Sequence, residues 1–233
     1  KIKSDFLAIA SHELRTPLGV ILGYASFLKE ETKDESLARM ADALLQAAQR
    51  MKGVVEDMTN MNLLRAGATG RPTHARAQVA DLVRAAWQDY QEAAQTRGHG
   101  VALELPSEPL WVNVEAQRVS LAIGNLLGNA IRFTPEGGRI RVRAERRGDE
   151  AWISVQDNGI GLRAADVELI FQEFYQVASH LTRRQGGLGM GLPIARGVAK
   201  EHNGRLWAES PGEGKGATFT LALPLEGAGL AGG

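Results

Sequence analysis

LARMADALLQAAQRMKGVVEDMTNM, residues 37–61, decides the fold of the first part of the chain. Leu37, Met40, Leu44, Ala47, Met51, Val54, Met58 and Met61 follow one another at alternating spacings of three and four, the repeat of a helix with one apolar seam. Upstream, residues 2–30 carry a broader apolar stripe through Phe6, Ala10, Leu14, Ile21, Tyr24 and Leu28, and the polar stretch Glu30 to Glu35 separates the two segments. Two helices joined by a short polar loop make a hairpin. A hairpin by itself leaves its seam half covered, so pairing of two copies into a four-helix bundle is the expected way to bury it, and the chain is expected to be a homodimer. The competing arrangement is a rod that packs on the rest of its own chain.

After Arg65 the apolar pattern stops and Gly67, Gly70 and Pro72 mark a linker. The runs Ile140-Arg-Val-Arg-Ala and Trp152-Ile-Ser-Val-Gln then alternate apolar and polar residues, which predicts a sheet with one wet face and one face covered by helices. Helices are expected over 79–97, 115–132 and 191–202, and strands over 100–105, 110–114, 139–147, 151–157, 204–209 and 216–223. The expected fold is therefore multidomain. An all-α helical hairpin forming a dimeric four-helix bundle (1–66) is followed by a linker (67–74), an α+β sandwich (75–225) and a Gly-rich disordered tail (226–233).

Composition excludes several classes of function. The 27 Lys and Arg balance the 27 Asp and Glu, so no overall positive field favours nucleic acid or an anionic membrane surface. With no cysteine, disulfides, thiolate metal sites and thiol nucleophiles are excluded. No run approaches the ~18 apolar residues of a membrane span, so no membrane contact is expected of this stretch. The chain opens within a helical pattern without a starting Met, which reads as a piece of a longer, cytoplasmic protein whose sensor or anchor lies outside it.

Four stretches carry chemistry. His12 stands in Ser11-His12-Glu13-Leu14-Arg15-Thr16-Pro17, roughly 140° around the helix from the apolar stripe at 100° per residue, so its imidazole faces solvent with a carboxylate beside it. Glu13 can hold one ring N–H and leave the other nitrogen free as a nucleophile. Pro17 breaks the helical bonding one turn back, a local cost that often marks a site. Asn125, Asn129 and Arg132 share one face of the next helix, which ends Phe133-Thr134-Pro135; two amide oxygens and a guanidinium suit Mg²⁺ and phosphate. Asp157-Asn158-Gly159-Ile160-Gly161 follows a strand, and a carboxylate there can accept from an adenine amino group while the glycines let backbone come close. Gly186-Gly187-Leu188-Gly189-Met190-Gly191-Leu192-Pro193 opens a helix, where free N–H groups and the helix dipole favour phosphate. It lacks the Lys-Ser or Lys-Thr of a Walker loop. Read singly, each stretch has a plainer meaning: a surface His beside a Glu, a polar helix face, a turn, a flexible hinge.

Taken together, in order and spacing, the four stretches resemble the H, N, G1 and G2 boxes of sensor histidine kinases, and Phe171-Gln-Glu-Phe174-Tyr175 resembles the F box between the last two. The resemblance implies ATP and Mg²⁺ as cofactors, a homodimer, and a response-regulator receiver domain as partner. It makes His12 the phosphoacceptor and Glu13 its acid/base partner. Asn129, helped by Asn125, would hold Mg²⁺. Asp157 would read adenine, Arg132 would contact phosphate, and Gly187, Gly189 and Gly191 would shape a lid over the phosphates, with Phe133, Gly159, Gly161, Leu188 and Met190 also in the ATP-binding site. Thr16, one turn after His12, would either orient a water that dephosphorylates the regulator or cap the carbonyls loosened by Pro17.

The chain departs from the family pattern in four places. Arg132 stands where Lys is usual, Gln176 where Arg often follows the F-box Tyr, Glu115 where Asp is frequent, and Met190 where Leu is frequent. Arg183 or Arg184 could substitute for the cation missing at 176. Two rival functions remain: an ATP hydrolase of the gyrase or chaperone type, which typically carries Glu where Asn125 stands, and a catalytically silent dimeric scaffold. His74, His99, His180 and His202 read as structural or merely exposed.

Overall fold

The computed structural model of the chain describes residues 14, 18–30, 32, 34–45, 47, 48, 51, 53, 55, 74–177 and 189–227. They fall into two compact units, residues 1–70 with 176–190 and residues 71–175 with 191–233.

In the helical unit, α1 covers 18–30 and α2 covers 35–45, with helix also at 14, 47, 48, 51, 53 and 55. Asp34 caps α2: its Oδ1 accepts from the N–H groups of Ser36 at 2.7 Å and Leu37 at 3.3 Å, donors that the first turn of a helix leaves open. Lys29 of α1 reaches Asp42 of α2 at 2.8 Å across the turn. The buried residues are Leu18 and Ala25 on one helix and Ala41, Ala48 and Val55 on the other, each row stepping by one heptad. The seam seen in the sequence lies elsewhere. Leu37, Met40, Leu44 and Met51 are 49–60% exposed, and Tyr24 on α1 is 70% exposed. The long side chains of the sequence seam on α2 are thus exposed, while the alanines at 25, 41 and 48 are buried.

The second unit runs β1 (Ala75–Gln78), α3 (Val79–Gln88), α4 (Gln91–Thr96), β2 (Gly100–Glu104), β3 (Trp111–Val114), α5 (Ala116–Phe133), β4 (Arg139–Arg147), β5 (Glu150–Asp157), a 3₁₀ turn (Leu169–Phe171), α6 (Gly191–Glu201), β6 (Arg205–Glu209) and β7 (Thr218–Pro224). Five strands form a mixed sheet in the order β2-β4-β5-β7-β6, with only the β2–β4 pair parallel. The inward residues Val142, Ile153, Val155, Leu221 and Leu223 alternate with outward ones, and α5 and α6 contribute Ile123, Leu126, Leu127, Ile194 and Val198 to the core. The other face is wet. There Arg141 meets Glu104 at 3.1 Å and Trp207 packs edge-on against Trp152 at 4.8 Å.

Three features differ from the sequence reading. β3 does not join the main sheet but pairs antiparallel with β1, Ala75 opposite Val114, because Pro106 and Pro109 carry the chain away from the sheet after β2. The helix expected over 79–97 is two helices, broken at Asp89 and Tyr90. No Gly or Pro announces the break. Its counterpart is on α5, where a Cβ added to Gly124 or Gly128 would lie 3.0 or 3.1 Å from the Tyr90 ring, so the ring lies directly on helix backbone. Glu226, expected in the tail, donates its N–H to the Trp111 carbonyl at 2.7 Å and accepts an ion pair from Arg76 at 2.7 Å.

Gly124→Val should therefore lower stability by about 1–3 kcal/mol through overpacking. Tyr90→Leu, made in the same chain, should recover part of that loss in a urea titration; equal loss in both would mean that the ring is not what the new side chain meets.

Candidate functional site

Asp157 ends the central strand and is 8% exposed. Its Oδ1 accepts from the Gly159 N–H at 2.8 Å, and its own N–H donates to the Ala217 carbonyl at 2.9 Å. Burial pushes the carboxyl pKa upward, partly offset by the backbone bonds from Gly159 and Ala217. The surrounding loop is held by contacts between backbones. A Cβ on Gly159 would lie 2.3 Å from the Phe133 carbonyl oxygen, and one on Gly216 would lie 2.0 Å from the Asp157 carbonyl oxygen. Ile160 donates to that same Phe133 carbonyl at 3.2 Å, which fixes the loop on the C-terminal end of α5.

The turn between β6 and β7 closes the other side, and the sequence reading gave it no role. Gly216 donates to Gly159 at 3.0 Å, while the Ser210 hydroxyl accepts from Leu162 N–H at 2.9 Å and donates to the Gly216 carbonyl at 2.7 Å. Gly161 and Gly216 have positive φ, 66° and 74°, and Gly161 faces the Gly212 carbonyl too closely for any side chain. The alternating glycines at 212, 214 and 216 were the available signal.

α5 supplies the polar row. Asn125, Asn129, Arg132 and Phe133 are half-buried on its outer side, and among the described residues neither Asn129 nor the Arg132 guanidinium has a hydrogen-bonding or ionic partner. The Asn125 Nδ2 is buried with no partner among the described residues, and its Oδ1 lies 3.2 Å from where a Gly191 Cβ would stand. An orphaned amide next to a helix start is costly unless a ligand completes it. The carboxamide oxygens of Asn125 and Asn129 are hard donors of the kind Mg²⁺ takes, and phosphate suits the free Arg132 and the N-terminus of α6.

A further cluster, unpredicted, anchors the segment that leads away from the site. Asp166, buried, accepts from Arg163 at 2.6 Å and from the Tyr175 hydroxyl at 2.7 Å. The Arg163 bond, with that of Tyr175, holds the Asp166 carboxyl below its ordinary value. Arg196 of α6 lies over the Phe171 ring at 4.6 Å and pairs with Glu168 at 3.1 Å, so the F-box segment is tied to the helix that follows the glycines.

The structure thus places Asn125, Asn129, Arg132 and Phe133 on the C-terminal half of α5, Asp157, Gly159 and Gly161 at the end of β5 and the loop after it, and Gly191 at the start of α6. Gly189, with φ of 73°, and Met190 are grouped with the helical unit. His12, Glu13, Thr16, Gly187, Leu188, Arg183 and Arg184 lie outside the described residues.

A mixed sheet backed by helices, with a buried carboxylate at the end of its central strand and an asparagine row on the adjoining helix, defines an ATPase-type domain. Residues 114–227 match the family of histidine kinase-, DNA gyrase B- and HSP90-like ATPases, and residues 2–67 match the His Kinase A (phospho-acceptor) domain. The chain is 34% identical over 225 residues to the sensor-like histidine kinase SenX3 of Mycobacterium tuberculosis, covering 95% of this chain and 54% of that protein. It is 32% identical over 231 residues to the sensor histidine kinase WalK of Bacillus subtilis, covering 96% of this chain and 37% of WalK. The crystal structure of full-length ShkA in complex with AMPPNP superposes with a TM-score of 0.67 at 26% identity, over 95% of this chain and 46% of that one. The chain belongs to the sensor histidine kinase family and spans about half the length, or less, of these relatives. Among the described residues no helix is long and apolar enough to cross a membrane.

Asp157→Asn tests the carboxylate. Because burial raises its folded pKa, the ionised group costs stability above its ordinary value, and that cost disappears as pH falls through the raised pKa. The amide should therefore melt at the same temperature as the parent or higher at neutral pH. If Asp157 reads adenine, as the sequence leads one to expect, the amide should also bind ATP about tenfold or more weakly, since a donor would then face the adenine amino group. Unchanged affinity by calorimetry would move the adenine contact elsewhere.

Proposed function

We propose that the chain is the catalytic core of an ATP-dependent protein-histidine kinase, which phosphorylates His12 and passes the phosphoryl group to an aspartate of a response-regulator receiver domain. The observation that carries the reading is the orphaned Asn125 amide, set between α5 and the start of α6 in a chain that also matches a phospho-acceptor domain. An amide at 125 cannot take a proton from water, which argues against a hydrolase of the gyrase type.

The residues divide the work. Asp157 orients the adenine through its amino group, and Gly159 and Gly161 let the base approach backbone. Arg132 offers a guanidinium to the phosphates, Gly191 at the start of α6 offers N–H groups to the same anion, and by resemblance to the family Gly187 and Gly189 belong to the lid. Asn129 and Asn125 would hold Mg²⁺ by their carboxamide oxygens. When bound, Mg²⁺ supplies positive charge that balances the phosphate oxygens.

Transfer is in-line: the free ring nitrogen of His12 attacks the γ-phosphorus, the bond to the β–γ bridging oxygen breaks, and ADP leaves with that electron pair. The proton released from the other ring nitrogen passes to Glu13. Outward-facing Leu37, Met40, Leu44 and Met51 suit a second hairpin, so the working form is a homodimer.

His12→Gln should abolish incorporation of label from γ-labelled ATP while nucleotide affinity stays within about twofold, because acceptor and pocket lie in different units. Label persisting at parental level would remove His12 from its role. Thr16→Ala separates the two roles open to that hydroxyl. If Thr16 orients a water, the change should slow loss of phosphate from the cognate regulator and leave autophosphorylation near the parental rate; equal damage to both would make it a helix-capping residue at Pro17.

A further inference from the structure

We infer that His202 is a positioning residue: it clasps α5 to α6 at the end of the helix pair remote from the Asn125–Gly191 mouth, and so sets the spacing of the groups that meet the phosphates. The inference rests on the nucleotide-site reading above. The two helices run antiparallel. Gly191 at the start of α6 lies by Asn125 in mid-α5, while Glu201 at its end pairs with Arg118 in the first turn of α5 at 2.6 Å. His202, buried, follows directly. Its Nδ1 lies 2.8 Å from the Val198 carbonyl, so that nitrogen carries the proton. Its Nε2 therefore has a lone pair, and accepts the N–H of Glu115, the N-cap residue of α5, at 3.0 Å. One neutral ring thus bonds the last turn of α6 and the entry to α5. The Glu115 side chain makes no cap bond of its own, so the imidazole is the side chain that fixes this entry.

Two rigid helices joined at one end transmit any loosening there to the other. α6 is packed through Ile194, Ala195, Val198 and Ala199, which makes it move as a unit. The clasp also titrates. The charged or titratable groups facing His202 are His74 before β1, with its ring 5.0 Å away, Glu115 and Arg118 from α5, and Glu201 from α6. Burial, the largest influence, pushes the His202 pKa down against the Val198 bond, with His74 adding to the effect. The neutral clasp is therefore intact above the ordinary value of about 6.5 and is lost as pH falls through the lower folded value. A second ring proton would face the Glu115 N–H, donor against donor.

Two substitutions separate the bonds. In His202→Gln the side-chain oxygen reaches the Nε2 position and still accepts from Glu115, but it cannot titrate. In His202→Asn the amide stays near the Nδ1 position and keeps only the Val198 bond. The readouts are affinity for a fluorescent ATP analogue between pH 5.5 and 8, hydrogen exchange at the Glu115 amide, and melting temperature. At pH 7.5 His202→Asn should bind about fivefold to tenfold more weakly, the effect of one lost hydrogen bond, with faster exchange at Glu115, and His202→Gln should stay within about twofold. As pH falls below the ordinary histidine value of about 6.5 and through the lower folded value, the parent should lose affinity relative to His202→Gln, a ratio that cancels titration of the nucleotide itself. A His202→Asn protein that exchanges faster at Glu115 yet binds like the parent, or one shared pH profile for parent and His202→Gln, overturns the inference. Failure of the parent to bind the analogue at all would instead overturn the nucleotide-site reading, and the positioning role with it.

Discussion

The approach of three backbone segments around Asp157 is the constraint on which the second unit depends. A carboxylate that is 8% exposed cannot be solvated by bulk water, so its partners must come from the fold, and the nearest are N–H groups of the loop it begins. Those groups reach it only because Gly159 lies against the Phe133 carbonyl and Gly216 against Asp157 itself, at separations where a methyl group would collide. The register of the central strand, the end of α5 and the β6–β7 turn are thereby fixed by one another. The Ser210 hydroxyl completes the arrangement by bonding both strands of the loop pair.

The same constraint explains why chemistry gathers there. Binding groups are most useful where they are already held and dry, and α5 presents its asparagines beside the loop that pins its last turn. The C-terminal carbonyls of α5 are taken up from a distance: the Arg97 guanidinium donates to Ile131 at 2.8 Å and to Arg132 at 3.2 Å. With the Tyr90 ring against its middle and His202 at its entry, the helix is fixed at both ends and at its centre by residues far from it in sequence. Stabilising such a helix from outside leaves its polar row available to a ligand.

The helical unit follows a different rule. Ala25, Ala41 and Ala48 are buried, and the longer Met40 and Leu44 are exposed. An interface inside a hairpin and an interface between hairpins compete for the same two faces, and the heptad alone does not say which row serves which. The row of alanines at 41 and 48 fits the close approach of two helices joined by a short loop.

Much of this was legible in the sequence. Alternation in β4 and β5 announced a sheet with one wet face, and the spacing of Asn125, Asn129 and Arg132 placed them on one side of α5, because these signals are local periodicities. The break at Tyr90 was not legible, since it is dictated by Gly124 and Gly128 more than thirty residues later and no local residue forbids the helix from continuing. Nor was the pairing of β3 with β1, the role of Ser210, or the tautomer of His202. The pairing, the Leu162–Ser210 bond and the Glu115–His202 bond that uses the remaining ring nitrogen all join segments distant along the chain, and such partners are chosen by packing in three dimensions. Sequence alone determined which residue types the chemistry has at its disposal and on which elements they ride. Tertiary structure decided which of them meet, because burial of Asp157, Asn125 and His202 exists only once the helices have closed over the sheet.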